Sequence, residues 1–381
     1  MRVISSTNDA GIPNHPHPNP LPGYRERGQE WLAGIISPAS PTIVLISLAL
    51  SVVALCASIA TAQENVTAPN VDAAVGRGLE YLAAEQKPDG SFTDQGPRVA
   101  ITGLGLLSYL ASGDTPELGK YGSTVRGAID YLVKQAPPDG YYGKLDGSRM
   151  YGQAIVTLAL AEAWGVEESE SRREKIRQVV KKTARVILDA QKVHKPAQFA
   201  GGWRYEPTAA DSDLSLSGWS ALALRACLDD GMEIPSDSAA DAIAFVIRCH
   251  CKEGGFTYQP GSGDPSVAST GAAVLCLYLL NAGARPERLD GLKFLREHRI
   301  DDQTRHPYYA MYYSVHATLQ ADEPTGAAVI DQTLERLIKM QQQDGSWPQS
   351  RSGEEPGVVY ATAMAVLTLE APYRLLPVYQ R

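Results

Sequence analysis

Apolar residues recur with a helical period from Val71 to Pro372, and two kinds of helix alternate along that stretch. One kind is amphipathic. Glu174-Lys175-Ile176-Arg177-Gln178-Val179-Val180-Lys181-Lys182 gathers Ile176, Val179 and Val180 on one face and charge on the rest. The other kind is apolar and small on every side, as in Ile101-Thr102-Gly103-Leu104-Gly105-Leu106-Leu107, Thr270-Gly271-Ala272-Ala273-Val274-Leu275-Cys276-Leu277 and Ala361-Thr362-Ala363-Met364-Ala365-Val366-Leu367. A helix apolar all round is a buried helix. The pattern predicts amphipathic helices over 71–85, 122–135, 173–190, 236–250, 286–298 and 326–342. It predicts apolar helices over 98–112, 149–164, 213–229, 266–282, 307–320 and 357–370. Six such pairs, repeating about every 50 residues, form an array in which no unit buries its apolar face alone. Six apolar helices inside six amphipathic ones make an all-α, closed α6/α6 toroid. An open superhelical stack of the same pairs is the architectural alternative.

Five of the six pairs carry glycine between their helices: Gly90, Gly140, Gly201-Gly202, Gly254-Gly255 and Gly345. Asp89, Asp139 and Asp344 precede three of them, which suits a tight turn. An aromatic follows each, read as Phe92, Tyr141, Trp203, Phe256 and Trp347. The fifth pair has His298-Arg299-Ile300-Asp301-Asp302 instead. These aromatics are expected to pack between neighbouring units and lock the ring.

The N-terminus is of another character. Residues 1–41 hold seven prolines, and His15-Pro16-His17-Pro18-Asn19-Pro20-Leu21-Pro22 supports neither helix nor central strand. Residues 42–62 contain the uncharged apolar run Ile43–Ala62, ending Ala60-Thr61-Ala62 before Gln63-Glu64, a small-x-small pattern of secretory cleavage. The long stretch upstream leaves two readings: a true start further down with cleavage after Ala62, or an uncleaved anchor long enough to span a bilayer. Leu55 before Cys56 argues against a lipoprotein. The expectation is an exported chain with a linker at 63–70, a toroid at 71–372 and a tail at 373–381, associated with the membrane, if at all, through residues 43–62.

The net charge of −8 belongs to the toroid, because Arg2, Arg25 and Arg27 balance Asp9, Glu26 and Glu30. With no basic stripe, nucleic acid is excluded as a partner class. Cys227, Cys249, Cys251 and Cys276 do not make a disulfide framework in a domain of this size. Cys249-His250-Cys251 lacks a second Cys/His pair for a tetrahedral metal site, so neither metal nor cofactor is expected.

The Gln–Gly–x–aromatic turns, clearest in Gln86 to Phe92 and Gln341 to Trp347, resemble the QW repeat of squalene–hopene cyclases and related triterpene cyclases. The β subunit of protein prenyltransferases has a similar toroid. The resemblance covers about residues 70–372. Triterpene cyclases protonate an alkene with the middle Asp of an Asp-x-Asp-Asp motif, and hold the carbocation against aromatic faces in a dry cavity. Here Asp211-Ser212-Asp213-Leu214-Ser215 precedes the third apolar helix, just after Gly202-Trp203-Arg204-Tyr205. The resemblance implies Asp213 as proton donor with Asp211 beside it, and Leu214 stands where the last Asp would be. Read by themselves, the same residues are helix N-caps. The Asp-x-Cys of zinc prenyltransferases and the Gly-Cys-Gly-Glu-Gln of thioester domains are absent from the sequence.

In a toroid the starts of all inner helices meet at one rim. That rim would gather Arg98, Arg149, Tyr151, Asp211, Asp213, Ser215, Asp264, His306, Tyr308, Tyr309 and Tyr360. Tyr308-Tyr309-Ala310-Met311-Tyr312-Tyr313 cannot turn all four rings to one side. Trp203, Tyr205, Trp219, Tyr308, Tyr309, Tyr312 and Tyr360 are the expected ligand-binding residues. Three functions follow. The first is an exported cyclase-like protein holding an isoprenoid or other apolar small molecule in its funnel, with proton-initiated chemistry if active. The second is a non-catalytic envelope scaffold for a protein or peptide. The third is a carbohydrate-active toroid, which would need carboxylates such as Asp211, Asp213 and Asp264 to face one another across about 5–10 Å.

Overall fold

The computed structural model describes residues 68–93, 96–321, 326–351 and 355–380. The Pro-rich segment, the apolar run and most of the linker lie outside the described residues. Among the described residues, no helix is long and apolar enough to cross a membrane.

Among the described residues twelve α-helices run in chain order: α1 (Ala68–Glu85), α2 (Arg98–Ala111), α3 (Gly122–Gln135), α4 (Arg149–Val166), α5 (Glu170–Lys192), α6 (Leu214–Asp229), α7 (Ser236–Arg248), α8 (Val267–Leu279), α9 (Pro286–Glu297), α10 (Pro307–Leu319), α11 (Ala327–Met340) and α12 (Val358–Glu370). Each lies within three residues of its predicted bounds. Local chemistry explains several starts. Pro286 and Pro307 occupy the first turns of α9 and α10, where a missing N–H is harmless. Asp213 and Ser266 cap α6 and α8 by accepting from the N–H groups of Leu216 and Ser269. Buried Lys195 closes the end of α5, donating to the carbonyls of Ala190, Gln191 and Gly202, and burial lowers its pKa to about 8.

The even-numbered helices form the inner ring. Each packs on the next, and α12 packs back on α2, so the array is closed. The odd-numbered helices form the outer ring, and most lie against the preceding inner helix: α3 on α2, α5 on α4, α9 on α8, α11 on α10 and α1 on α12. The fold is the α6/α6 toroid expected from the apolar pattern.

The turn motif is the ring's fastener. Gln86 Nε2 donates to Gly90 O of its own turn (3.0 Å) and to Thr124 O of the next outer helix (2.9 Å). Gln191 does the same for Gly201 and Ser238, and Gln341 for Gly345 and Ala74. In the second pair Gln153, from α4, bonds Gly140 and Thr183. The turn aromatic has its N–H held by an inner-helix side chain: Phe92 by Thr102, Tyr142 by Gln153, Trp203 by Ser217, Phe256 by Thr270 and Trp347 by Thr362. In the second pair that aromatic is Tyr142, not the expected Tyr141. The ring must stand two residues after the positive-φ glycine to reach the core, as in Gly90–Phe92 and Gly345–Trp347. Tyr141 stands one residue after Gly140, is only partly buried, and bonds Glu206 through its hydroxyl.

The axis of the ring is filled. Trp219 of α6 stacks on Tyr312 of α10 at 5.6 Å between ring centres, although α8 separates these helices around the ring. Tyr313 meets both rings edge-on. Below them His316 stacks on Tyr379 at 4.0 Å. Tyr379 belongs to the C-terminal tail, which turns back after α12 and packs its Pro377–Tyr379 turn against α4 and α6.

Candidate functional site

The inner helices start at the end of the axis opposite the tail, and the residues there form a mouth. The link Trp203-Arg204-Tyr205 leaves the third turn in extended conformation, and Trp203 and Asp213 form an isolated antiparallel bridge. That bridge places Arg204 over the cap of α6. Arg204 Nη1 donates to Asp213 Oδ2 (2.7 Å) and to the Tyr258 hydroxyl (2.7 Å), and its Nε lies 3.1 Å from Asp211 Oδ2. The guanidinium also rests on the faces of Tyr205 and Tyr258, 4.7 and 5.5 Å from their ring centres. Asp213 is fully buried, while Asp211 is partly exposed. The other Asp213 oxygen accepts from Leu216 N (2.9 Å) and from the Ser215 hydroxyl (2.6 Å).

Hydroxyl bookkeeping orients the network. Ser215 gives its proton to Asp213, so Tyr151, 2.7 Å from Ser215 Oγ, donates to it and presents lone pairs outward. Tyr258 accepts from Arg204, and its hydroxyl shares a hydrogen bond with that of Tyr205 (2.9 Å). Tyr151 and Tyr205 have ring centres 5.8 Å apart. Arg149 flanks them, pairing with Glu206 at 3.2 Å and lying over Tyr205. Burial, with Asp213 nearby, pushes the phenols of Tyr151, Tyr258 and Tyr309 well up, and burial with Glu355 nearby does the same to Tyr360. Tyr151, Tyr258 and Tyr360 nevertheless keep some surface in solvent. Two inner helices start from strained backbone here: Arg149 has φ +56° and His306 φ +50°.

Of the residues picked out from sequence, Asp211, Asp213, Tyr205, Tyr309 and Tyr360 surround this mouth, with Arg149, Tyr151 and Ser215. The rings of Trp203, Trp219 and Tyr312 are buried within the protein: Trp203 donates to Ile187 O, and Trp219 and Tyr312 fill the axis. Tyr308 is buried and donates to Pro348 O beside the last turn. Asp264 lies near Cys251 and helps raise its thiol. Sequence reasoning missed Tyr258, Glu206 and Glu355. The signal for Tyr258 was present: Phe256-Thr257-Tyr258 repeats the offset of Trp203-Arg204-Tyr205. Among the described residues no group of three or more His, Cys, Asp and Glu could hold a metal ion, and the four cysteines are free.

Ring, turn and mouth define an α/α toroid. Residues 206–371 match the family model of the prenyltransferase alpha-alpha toroid domain. No curated protein matches the chain. Among solved structures, the GH76A α-1,6-mannanase from Salegentibacter sp. HEL1_6 has a similar fold, with TM-score 0.59, 12% identity, 80% of this chain and 99% of that one covered. A protein from Actinoplanes gives 0.55 at 16% identity, with 79% and 98% covered. The type II terpene cyclase MstE from Scytonema gives 0.51 at 15% identity, also with 79% and 98% covered. These likenesses show the α/α-toroid fold, which a terpene cyclase and a mannanase have in common.

Proposed function

We propose that this toroid is a binding module whose tyrosine-lined mouth takes a polar, hydroxyl-bearing ligand, with a saccharide as the favoured class, and that it does not protonate alkenes. The observation that carries the reading is the state of Asp213. Leu216 N–H, Ser215 O–H and Arg204 N–H all donate to it, so it acts as an acceptor with no contact through which to give a proton. Two further observations agree. The aromatic faces of Tyr205 and Tyr258, which could hold a carbocation, already hold Arg204. The axis, which would be the dry cavity for an isoprenoid, is packed with Trp219, Tyr312 and Tyr313. Both Asp211 and Asp213 are engaged with Arg204, which leaves this pair unsuited to the roles of glycosidase acid and base. The hydroxyls of Tyr151 and Tyr205 suit a ligand that both donates and accepts, as every sugar hydroxyl does. Likeness to an α-1,6-mannanase supports starting with saccharides, and the apolar run at 43–62 supports an envelope location where glycans are met.

Calorimetric titration of the purified protein with α-1,6-mannotriose and a panel of other oligosaccharides tests this. Saturable binding, weakened at least tenfold by Tyr205→Phe and by Tyr151→Phe, is the expected result. Retention of an isoprenoid that is converted only while Asp213 is present would overturn it.

A further inference from the structure

At the other end of the axis, independently of the mouth, the C-terminal tail packs against the inner helices. The tail leaves α12 through Arg374, whose φ is +50°, and runs Leu375-Leu376-Pro377-Val378-Tyr379-Gln380 across the ends of the inner helices. Tyr379 enters the axis as an anchor: its ring stacks on His316 and its hydroxyl bonds that of Tyr312. The tail's backbone is held as a ligand's would be. Val378 N–H donates to Glu162 Oε1 (3.2 Å), and Tyr379 O accepts from Gln320 Nε2 (3.3 Å). Arg374 donates to Leu319 O at the hinge (2.5 Å).

The site offers more than the tail uses. Glu162 Oε2, Gln320 Oε1 and His316 Nε2 are buried and have no hydrogen-bond partner, and all three residues are at most 5% exposed. Buried polar atoms left unpaired each cost free energy, and the tail as seated leaves these three unsatisfied. The ring itself does not need the tail: it closes through α12 on α2 and through α11 on α1, both upstream of Arg374.

We propose that this end of the toroid is a peptide-docking site for an apolar-Pro-apolar-Tyr segment, filled at rest by residues 375–380 in cis and open to the same segment of a second copy. The tail in cis competes at the millimolar effective concentration of a short tether, so the intact chain masks the site.

The test uses the full chain carrying Tyr379→Ala, and a fluorescent peptide of the sequence Leu375–Arg381. The peptide binds the variant saturably and at least tenfold more tightly than it binds the wild type. A peptide with alanine in place of its tyrosine does not bind. A second form guards against misfolding of the variant: wild-type chain with a protease site inserted between Arg374 and Leu375, cut after folding. Its severed tail exchanges with labelled peptide. The proposal is overturned if the peptide binds neither form, or if the tyrosine-free peptide binds equally well.

Discussion

The side-chain amide of Gln341, at the end of the last outer helix, donates to the carbonyl of Ala74 in the first, 2.8 Å away. Its other bond, to Gly345 O at 2.9 Å, holds its own turn. The pair spans nearly the whole toroid in sequence and repeats what Gln86 does between neighbours. If closure is a real energetic link, Gln341→Ala lowers stability as much as Gln86→Ala, by about 1–3 kcal/mol from two buried carbonyls losing their donor. Urea unfolding of both variants measures this. A loss from Gln86→Ala with none from Gln341→Ala would show a ring that is shut geometrically but not energetically.

Glycine in the same turns is required by contact as well as by dihedral angle. Gly90 has φ +89°, and a Cβ there would lie 2.1 Å from Gly127 O on the next outer helix. Gly345, at φ +88°, would meet Arg77 O at 2.4 Å. Backbone cannot yield as a side chain can, so alanine at either position costs more than the ~1 kcal/mol of left-handed strain alone, about 2–4 kcal/mol in all. Gly147, also at positive φ but with open space around a Cβ, is the control and carries the strain alone. Equal melting losses at all three positions would contradict the contact argument.

How much could be read in advance is clearest at Tyr141 and Tyr142. Helix pairing, ring order and helix bounds follow from apolar periodicity, because a helix without a polar face has to be inner. The choice between two adjacent tyrosines does not follow from composition. It depends on the two-residue step from a left-handed glycine to the core, which becomes visible only when the five turns are aligned on that glycine. Tyr142 is wholly buried with its hydroxyl on Leu132 O, whereas Tyr141 lies at the mouth beside Glu206. Tyr142→Ala is expected to cost about 3–5 kcal/mol, and Tyr141→Ala within about 0.5 kcal/mol. Chemical denaturation of the two variants decides between them.

The mouth was only half legible, for a similar reason. Asp211 and Asp213 stand out as a pair beside a helix start. What Asp213 does depends on Arg204, and an arginine in a turn gives no hint that it will fold back onto a cap. Asn caps a helix nearly as well as Asp, so Asp213→Asn keeps the Leu216 bond and loses the Arg204 ion pair, at about 1–3 kcal/mol. Asp213→Ala loses the cap too and costs about 1 kcal/mol more. In Arg204→Ala the ion pair is already gone, so adding Asp213→Asn to it costs little. Additive losses in that double variant, read from urea midpoints, would mean that Arg204 and Asp213 are not coupled.

Glu162 ties stability to pH through the tail. Burial pushes its carboxyl well above the ordinary 4.5, and Asp230 and Asp229 push it the same way, against one favourable bond from Val378 N–H. Cys227, Tyr312 and Tyr379 are its other titratable neighbours, and burial raises all three. The folded chain therefore keeps a proton on Glu162 that the unfolded chain releases near pH 4.5. A raised carboxyl contributes stability that is fully present below the unfolded pKa and is lost as pH climbs toward the folded one. Glutamine retains an acceptor for Val378 and has no proton to lose. Glu162→Gln should thus match the wild type near pH 4.5 and exceed it by about 1–2 kcal/mol at pH 8, within the range of a relieved buried polar group. Unfolding midpoints measured from pH 4.5 to 9 report the difference directly. A constant offset across that range would mean that Glu162 does not keep its proton on folding.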